Sequence, residues 1–189
     1  MRTLILATLL ALATPTLAQD NPVVVMDTNM GTIRIELWPD RAPVTVENFL
    51  RYTDNDYYDG LIFHRVIDGF MIQGGGFTPD MVQKSTYAAI ENEANAETPN
   101  DRGTLAMART QVVDSATSQF FINLTDNAFL NHQNETPRGY GYAVFGEVIE
   151  GMDVVDAIAQ VETGNVRGYG DVPSEAVVIN SMRRESQEN

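Results

Sequence analysis

The sequence predicts an all-β-dominated fold: an antiparallel barrel whose open ends are covered by two α-helices. Three observations lead there. Apolar and polar residues alternate over several short runs, the pattern of a strand with one buried face. Turn dipeptides such as Asp68-Gly69 separate such runs at hairpin spacing. Helical spacing occurs in only two isolated stretches, and strands with a few separate helices pack best as a sheet curled around one core. The chain has 189 residues, 43% of them hydrophobic, which suits one domain with a sizeable core.

Residues 1–18 read as a separate object. Arg2 is a positive start, Leu4 to Ala13 an apolar run, and Pro15 ends it. Thr16-Leu17-Ala18 puts small residues where a signal peptidase reads. The run is shorter than the ~20 residues that span a bilayer, and no later run is long enough, so no membrane insertion is expected. The expectation is a signal peptide over 1–18, cut after Ala18, and a single domain over 19–189 in the periplasm.

Val23 to Met26 is a β-branched run. Ile33, Ile35 and Leu37 alternate with Thr32, Arg34 and Glu36, and Asn29-Met30-Gly31 makes the turn between the two runs. Pro43 suits a first helical position, and Val46, Phe49, Leu50 and Thr53 follow at helical spacing, so 43–54 is an amphipathic helix. Strands follow at Leu61 to Ile67 and Phe70 to Gln73, the second ended by Gly74-Gly75-Gly76. Residues 77–103 are polar and aperiodic, and a loop of that length is often functional. Further strands are expected at Leu105 to Ala108, Gln119 to Leu124, Tyr142 to Val148 and Val177 to Ile179. Met152, Val155, Ile158 and Ala159 mark the second helix, and Arg183 to Asn189 a fraying polar tail.

Charge and composition exclude several functions. Twelve Lys+Arg stand against 26 Asp+Glu, a net charge of −14, so nucleic acid is repelled. The absence of cysteine removes disulfides, thiolate nucleophiles and Cys-ligated metals. With only His64 and His132, no metal site is expected. Gly74-Gly75-Gly76 lacks the Lys-Ser/Thr of a phosphate loop. Ser118 lacks a nucleophile-elbow context. The acids from Glu91 to Asp101 do not have EF-hand spacing. Asn123-Leu124-Thr125 and Asn134-Glu135-Thr136 match the glycosylation pattern, which is common by chance.

Alternation leaves one unusual face. If Phe120 and Ile122 fill the barrel, Gln119 and Phe121 lie outside it. Met71 and Gln73 share one face of their strand, and Arg65 points away from His64 and Val66. Arg65, Met71, Gln73, Gln119 and Phe121 then make an outer patch of apolar side chains, two amides and one guanidinium, suited to a peptide groove.

The segment Phe63-His64-Arg65-Val66-Ile67-Asp68-Gly69-Phe70-Met71-Ile72-Gln73-Gly74-Gly75 resembles the signature of the cyclophilin family of peptidyl-prolyl isomerases. Ser118-Gln119-Phe120-Phe121-Ile122 resembles its second signature. Ala106 to Thr110 and Tyr142 to Gly146 match two further blocks in order, and the similarity runs from about Val23 to Ile179. The resemblance implies a closed eight-stranded antiparallel β-barrel capped by two helices. It implies rotation about X–Pro bonds in proline-containing segments of unfolded or flexible exported proteins, by a monomer that uses no cofactor. It makes Arg65 the catalytic arginine. Phe70, Met71, Phe121 and Leu130 become walls of a proline pocket, Gln73 and Gln119 its polar contacts, and Ala108 and Arg109 the strand that holds the substrate backbone. Phe129 stands where drug-binding eukaryotic members have Trp, and Tyr142 where they often have His, which implies weak cyclosporin binding. Asp80 to Ile90 replaces the family's Gly-rich segment. A proline-peptide binding module is the competing class, and the presence of Arg65 favours the enzyme.

Overall fold

The computed structural model describes residues 21–186; the expected signal peptide over 1–18 lies outside them. A hairpin opens the fold: β1 (Val23–Thr28) pairs residue for residue with β2 (Gly31–Leu37). Thr28 closes the turn, its hydroxyl donating to the Gly31 carbonyl at 2.7 Å. The odd-even pattern holds: Val24, Met26, Ile33, Ile35 and Leu37 are fully buried.

Helix α1 (Pro43–Asp54) starts at the expected proline and carries no side-chain cap at Ala42. Its first N–H groups are satisfied from the long loop instead. The Glu93 carboxylate accepts from the backbone of Val44 at 3.1 Å and of Thr45 at 2.7 Å. An anion at this end also suits the helix dipole. The aperiodic stretch after residue 77 is thus a bound strap, joined also through the Ile90 and Ala116 bridge.

The middle of the chain supplies β3 (Ile62–Ile67), β4 (Met71–Phe77), β5 (Thr104–Met107), β6 (Phe120–Asn123) and β7 (Val144–Glu150). Helix α2 (Met152–Ala159) follows. A hairpin, β8 (Thr163–Val166) with β9 (Tyr169–Pro173), precedes β10 (Ile179–Arg184). The main sheet has eight antiparallel strands in the order β10-β1-β2-β7-β5-β6-β4-β3.

Four expectations are corrected. The ladder is not closed: it is an open sheet with β10 and β3 at its edges. The gap between them is spanned by a short seam, in which Gly60 N–H donates to Ile179, Ile179 N–H to Leu61 and Phe63 N–H to Val177, at 2.8, 2.8 and 3.0 Å. The three glycines do not end β4 but lie within it. At Gly75, with φ +80°, an added Cβ would sit 2.9 Å from the rings of Phe120 and Tyr58, so glycine is what lets the strand run under them. Val177 and Val178 form the seam, and the last strand extends through Arg184, opposite Val24. Its arginines are held, Arg183 by Asp59 at 2.6 Å and Arg184 by Asp54, so the fraying expected from Arg183 does not begin there. Finally, the β8–β9 hairpin was not expected, because Thr163 to Val166 is exposed throughout and shows no alternation.

One core fills the inner face of the sheet. Phe49 of α1 lies 5.1 to 5.5 Å, centroid to centroid, from the rings of Tyr58, Phe120 and Phe145. Val155 and Ile158 of α2 are fully buried in the same cluster. Both helices therefore turn their apolar stripes onto this core.

Candidate active site

The opposite face of the same strands carries a second apolar cluster. Met71 of β4, Ala106 of β5, Phe121 of β6 and Val144 of β7 pack there with Trp38 and Leu130. Each alternates with a residue of the inner core, namely Ile72, Leu105, Phe120 and Phe145. The period of two places this cluster, since β-strand side chains point to opposite faces in turn.

A cavity of about 140 Å³ opens on this outer face. Arg65, Phe70, Met71, Gln73, Ala108, Arg109, Phe121, Leu130 and Tyr142 line it. The structure therefore brings together all but two of the residues expected from the sequence. Gln119 stands directly behind Gln73, accepting its amide N–H at 2.9 Å. Its side chain lies on Gly76, where a Cβ would come within 2.5 Å of Gln119 Cγ. Phe129 stands at the rim, 66% exposed, its ring 5.6 Å from that of Phe70.

Arg65 reaches this face through an irregularity in β3. Simple alternation would put Phe63 and Arg65 on one side, yet Phe63 is fully buried in the inner core. The register of β3 against β4 shifts between Phe63 and Arg65, and such a bulge re-aims the side chains that follow. Val66 then returns to the core while Arg65 points to the cavity. His64 packs on Phe77, centroids 4.6 Å apart. Its Nδ1 has no hydrogen-bond partner among the described residues. Burial first, and then the adjacent Arg65 charge, hold its pKa down at about 4.

The Arg65 guanidinium stands half exposed at the cavity mouth, its Nε 3.7 Å from Asp171 of β9. Asp171 has φ +59°, and its hairpin is fastened by Val172, buried with Ile62 and Phe77, and by Tyr169, which meets Phe77 edge-on at 5.2 Å.

Arg109 is a second guanidinium, and three of its five N–H donors go to backbone carbonyls. Nε, Nη1 and Nη2 donate to the carbonyls of Gly141, Thr110 and Pro137 at 2.8, 2.9 and 2.8 Å. Its plane covers the Tyr142 ring at 4.8 Å, and Tyr142 in turn meets Phe121 edge-on at 5.7 Å. Toward the proline cavity Arg109 offers its backbone and a firmly held Tyr142. A buried amide chain steadies the other wall. Asn127 donates to the carbonyl of Phe70 at 2.9 Å and to Asn123 Oδ1 at 2.8 Å, and Asn123 donates to Thr104 Oγ1 at 2.9 Å. This fixes the segment that leads to Phe129 and Leu130.

The family follows from most of the chain. Residues 23–184 match the model of the cyclophilin type peptidyl-prolyl cis-trans isomerase/CLD family. The chain belongs to the cyclophilins.

Individual cyclophilins agree. The chain is 61% identical over 158 residues to peptidyl-prolyl cis-trans isomerase cyp18 of Streptomyces antibioticus, covering 84% of this chain and 95% of that one. It is 56% identical over 160 residues to peptidyl-prolyl cis-trans isomerase B of Escherichia coli K12, covering 85% and 98%. The cyclophilin type isomerase cgd2_1660 of Cryptosporidium parvum, solved in the presence of dipeptide ala-pro, superposes with a TM-score of 0.75 at 27% identity, covering 87% and 99%. The chain is thus a cyclophilin-type peptidyl-prolyl isomerase, and proline-containing peptides are its substrates.

The sequence reading missed four neighbours of the cyclophilin cavity. Trp38 follows the buried Leu37 and so falls on the outer face, a signal that alternation carried. Ala106 and Val144 were legible in the same way. Asp171 had no signal, because nothing in Tyr169-Gly170-Asp171 marks a strand that approaches Arg65. Among the described residues no cluster of His, Asp and Glu has the form of a metal site, and no helix is long and apolar enough to cross a membrane.

Proposed function

We propose that this cyclophilin speeds rotation about X–Pro bonds in exported proteins as they fold, with Arg65 as the catalytic residue and the outer cavity as the prolyl-ring site. The single observation that carries the reading is a guanidinium at the mouth of a small cavity walled by Met71, Phe121 and Leu130. Amide resonance gives the bond a rotational barrier of ~18–20 kcal/mol. At the twisted transition state that conjugation is broken and the prolyl nitrogen becomes pyramidal, with a lone pair. A donor aimed at that lone pair binds the twisted form more tightly than either planar form, which lowers the barrier. Arg65 stays charged and presents a rigid fork of donors. The apolar walls grip the ring while the rest of the chain turns, and they favour the twisted amide, whose carbonyl is less polar. No proton moves and no covalent bond forms. The ala-pro dipeptide present with the Cryptosporidium relative supports a prolyl ligand for this cavity.

Exchange spectroscopy on a short X–Pro peptide tests the role of Arg65. Loss of one preorganised donor costs ~10²–10³ in rate. Arg65→Ala is expected to lose that much while still binding peptide and melting at nearly the wild-type temperature. Arg65→Lys recovers part of the rate. A folded Arg65→Ala protein with wild-type exchange overturns the role. Loss of binding in proportion to rate makes Arg65 a uniform binder, as in a proline-peptide binding module. The export reading rests on the leader pattern of residues 1–18. It expects a mature N-terminus at Gln19 and recovery from the periplasm; intact mass showing Met1 retained in cytosolic protein overturns it.

A further inference from the structure

Beside the proline cavity lies a larger cleft of about 500 Å³. Two segments line it, Arg109 to Gln111 and Pro137 to Arg138, together with Tyr142. Arg109 and Tyr142 also line the proline cavity, so the two hollows share a wall. A peptide with its ring in the first gains ~3.3–3.6 Å of reach per extended residue, and its neighbouring side chains meet the second.

The lining of the cleft is positively charged. The chain has 26 acidic residues against 12 basic, yet two arginines and no carboxylate line this hollow. Arg34, Arg102, Arg183 and Arg184 are each paired with a carboxylate. Arg109 bonds only to neutral carbonyls, so its charge is not cancelled. Arg138 is exposed and forms no ion pair among the described residues. Glu135, the carboxylate of this loop, is exposed, 3.8 Å from His132 Nε2, and does not line the cleft.

The loop that carries Arg138 is braced. The Gly139 carbonyl accepts from Gln133 and Asn134 at 2.8 and 3.1 Å, and Tyr140 N–H donates to Thr136 at 2.8 Å. Arg109 holds the Pro137 carbonyl on the other side of Arg138. The backbone of Arg138 is therefore set between two fixed points, and ordering it on binding costs little.

We infer that this cleft is a second substrate subsite, which takes an acidic side chain close to the proline and pairs it with Arg138. This rests on the reading of the adjoining cavity as the prolyl site. A chain of net charge −14 repels acidic peptides at long range, and the local positive patch offsets that repulsion at the point of contact. Neutral peptides have no use for the patch, so Arg138 sets selectivity and leaves the basal reaction alone.

The test uses the whole protein and a set of X–Pro peptides in which Glu, Gln or Lys is scanned over two positions on each side of the dipeptide, with an all-alanine peptide as reference. At one position Glu is expected to raise kcat/KM at least threefold over Gln at low salt, with the gain gone near 1 M salt. Arg138→Gln abolishes the gain and Arg138→Glu shifts preference to Lys, while the all-alanine peptide turns over alike in all three proteins. Equal rates for Glu, Gln and Lys at all four positions, or a Glu preference that survives in Arg138→Gln, overturns the proposal. If the wild type fails to exchange the all-alanine peptide, the prolyl reading falls instead. Chemical-shift titration with the same Glu and Lys peptides then judges the subsite alone: an Arg138-dependent preference for Glu supports it, and no preference overturns it.

Discussion

Phe120 and Phe121 are neighbours on β6 and almost equally buried, at 0% and 4% exposure, yet they belong to different parts of the molecule. Phe120 meets Phe49, Tyr58 and Phe63 edge-on in the inner core. Phe121 faces the cavity beside Met71 and Leu130. Burial therefore does not separate scaffold from site here; the face of the strand does. The same contrast recurs on β3, where His64 is buried on Phe77 while Arg65 stands at the cavity mouth. A sheet with both faces covered can keep one rigid and lend the other to a ligand.

The largest effect expected from this contrast is on stability. Phe120→Ala removes a ring enclosed by three others and is expected to cost about 3–5 kcal/mol, read as a lowered urea midpoint. Phe121→Ala leaves a space that adjoins an existing cavity open to water, and its stability cost is expected to be smaller. Its kcat/KM on an X–Pro peptide falls at least tenfold, the equivalent of ~1.4 kcal/mol of lost ring contact. Equal destabilisation with unchanged turnover would erase the distinction between the faces.

The next effect concerns pH. Folding holds the His64 imidazole down at about 4, against an ordinary value of 6.5. Between these values the unfolded chain binds a proton that the folded one does not. The contribution is fully present above pH 6.5 and is lost as pH falls towards 4, by roughly 3 kcal/mol at most. Melting temperature against pH is expected to fall over this window in the wild type and to flatten in His64→Gln. Because His64 stays neutral and no proton moves in rotation, the exchange rate is expected to be level from pH 6 to 8. A bell-shaped profile on folded protein would reveal an acid or base on the cavity face.

The smallest effect belongs to Asp171. Its pair with Arg65 is long and exposed on both sides, and such pairs contribute ~0–1 kcal/mol. Asp171→Asn is expected to lower exchange by less than about fivefold at low salt, with the difference closing near 1 M salt. A loss approaching that of Arg65→Ala would make the β8–β9 hairpin part of the catalytic face.

Much of this was legible in the chain. The period of two in β2 and β6, and the spacing of Val46, Phe49 and Leu50 in α1, are local properties, and local sterics and burial fix them whatever lies across the core. Alternation alone put Gln119 and Phe121 on one side of the strand expected from Gln119 to Leu124, and the resemblance to the cyclophilins named the remaining walls of the cavity. Three features belong to tertiary structure. The bulge that lets Phe63 turn inward and Arg65 outward depends on the register of β3 against β4. The seam between Phe63 and Val177 depends on how far the sheet curls. The approach of Asp171 to Arg65 and of Arg109 to Pro137 joins residues distant in sequence through polar, aperiodic segments. Alternation records which face a strand buries. Only the folded chain, by bringing those faces and loops within a few ångströms, decides which charges and carbonyls meet.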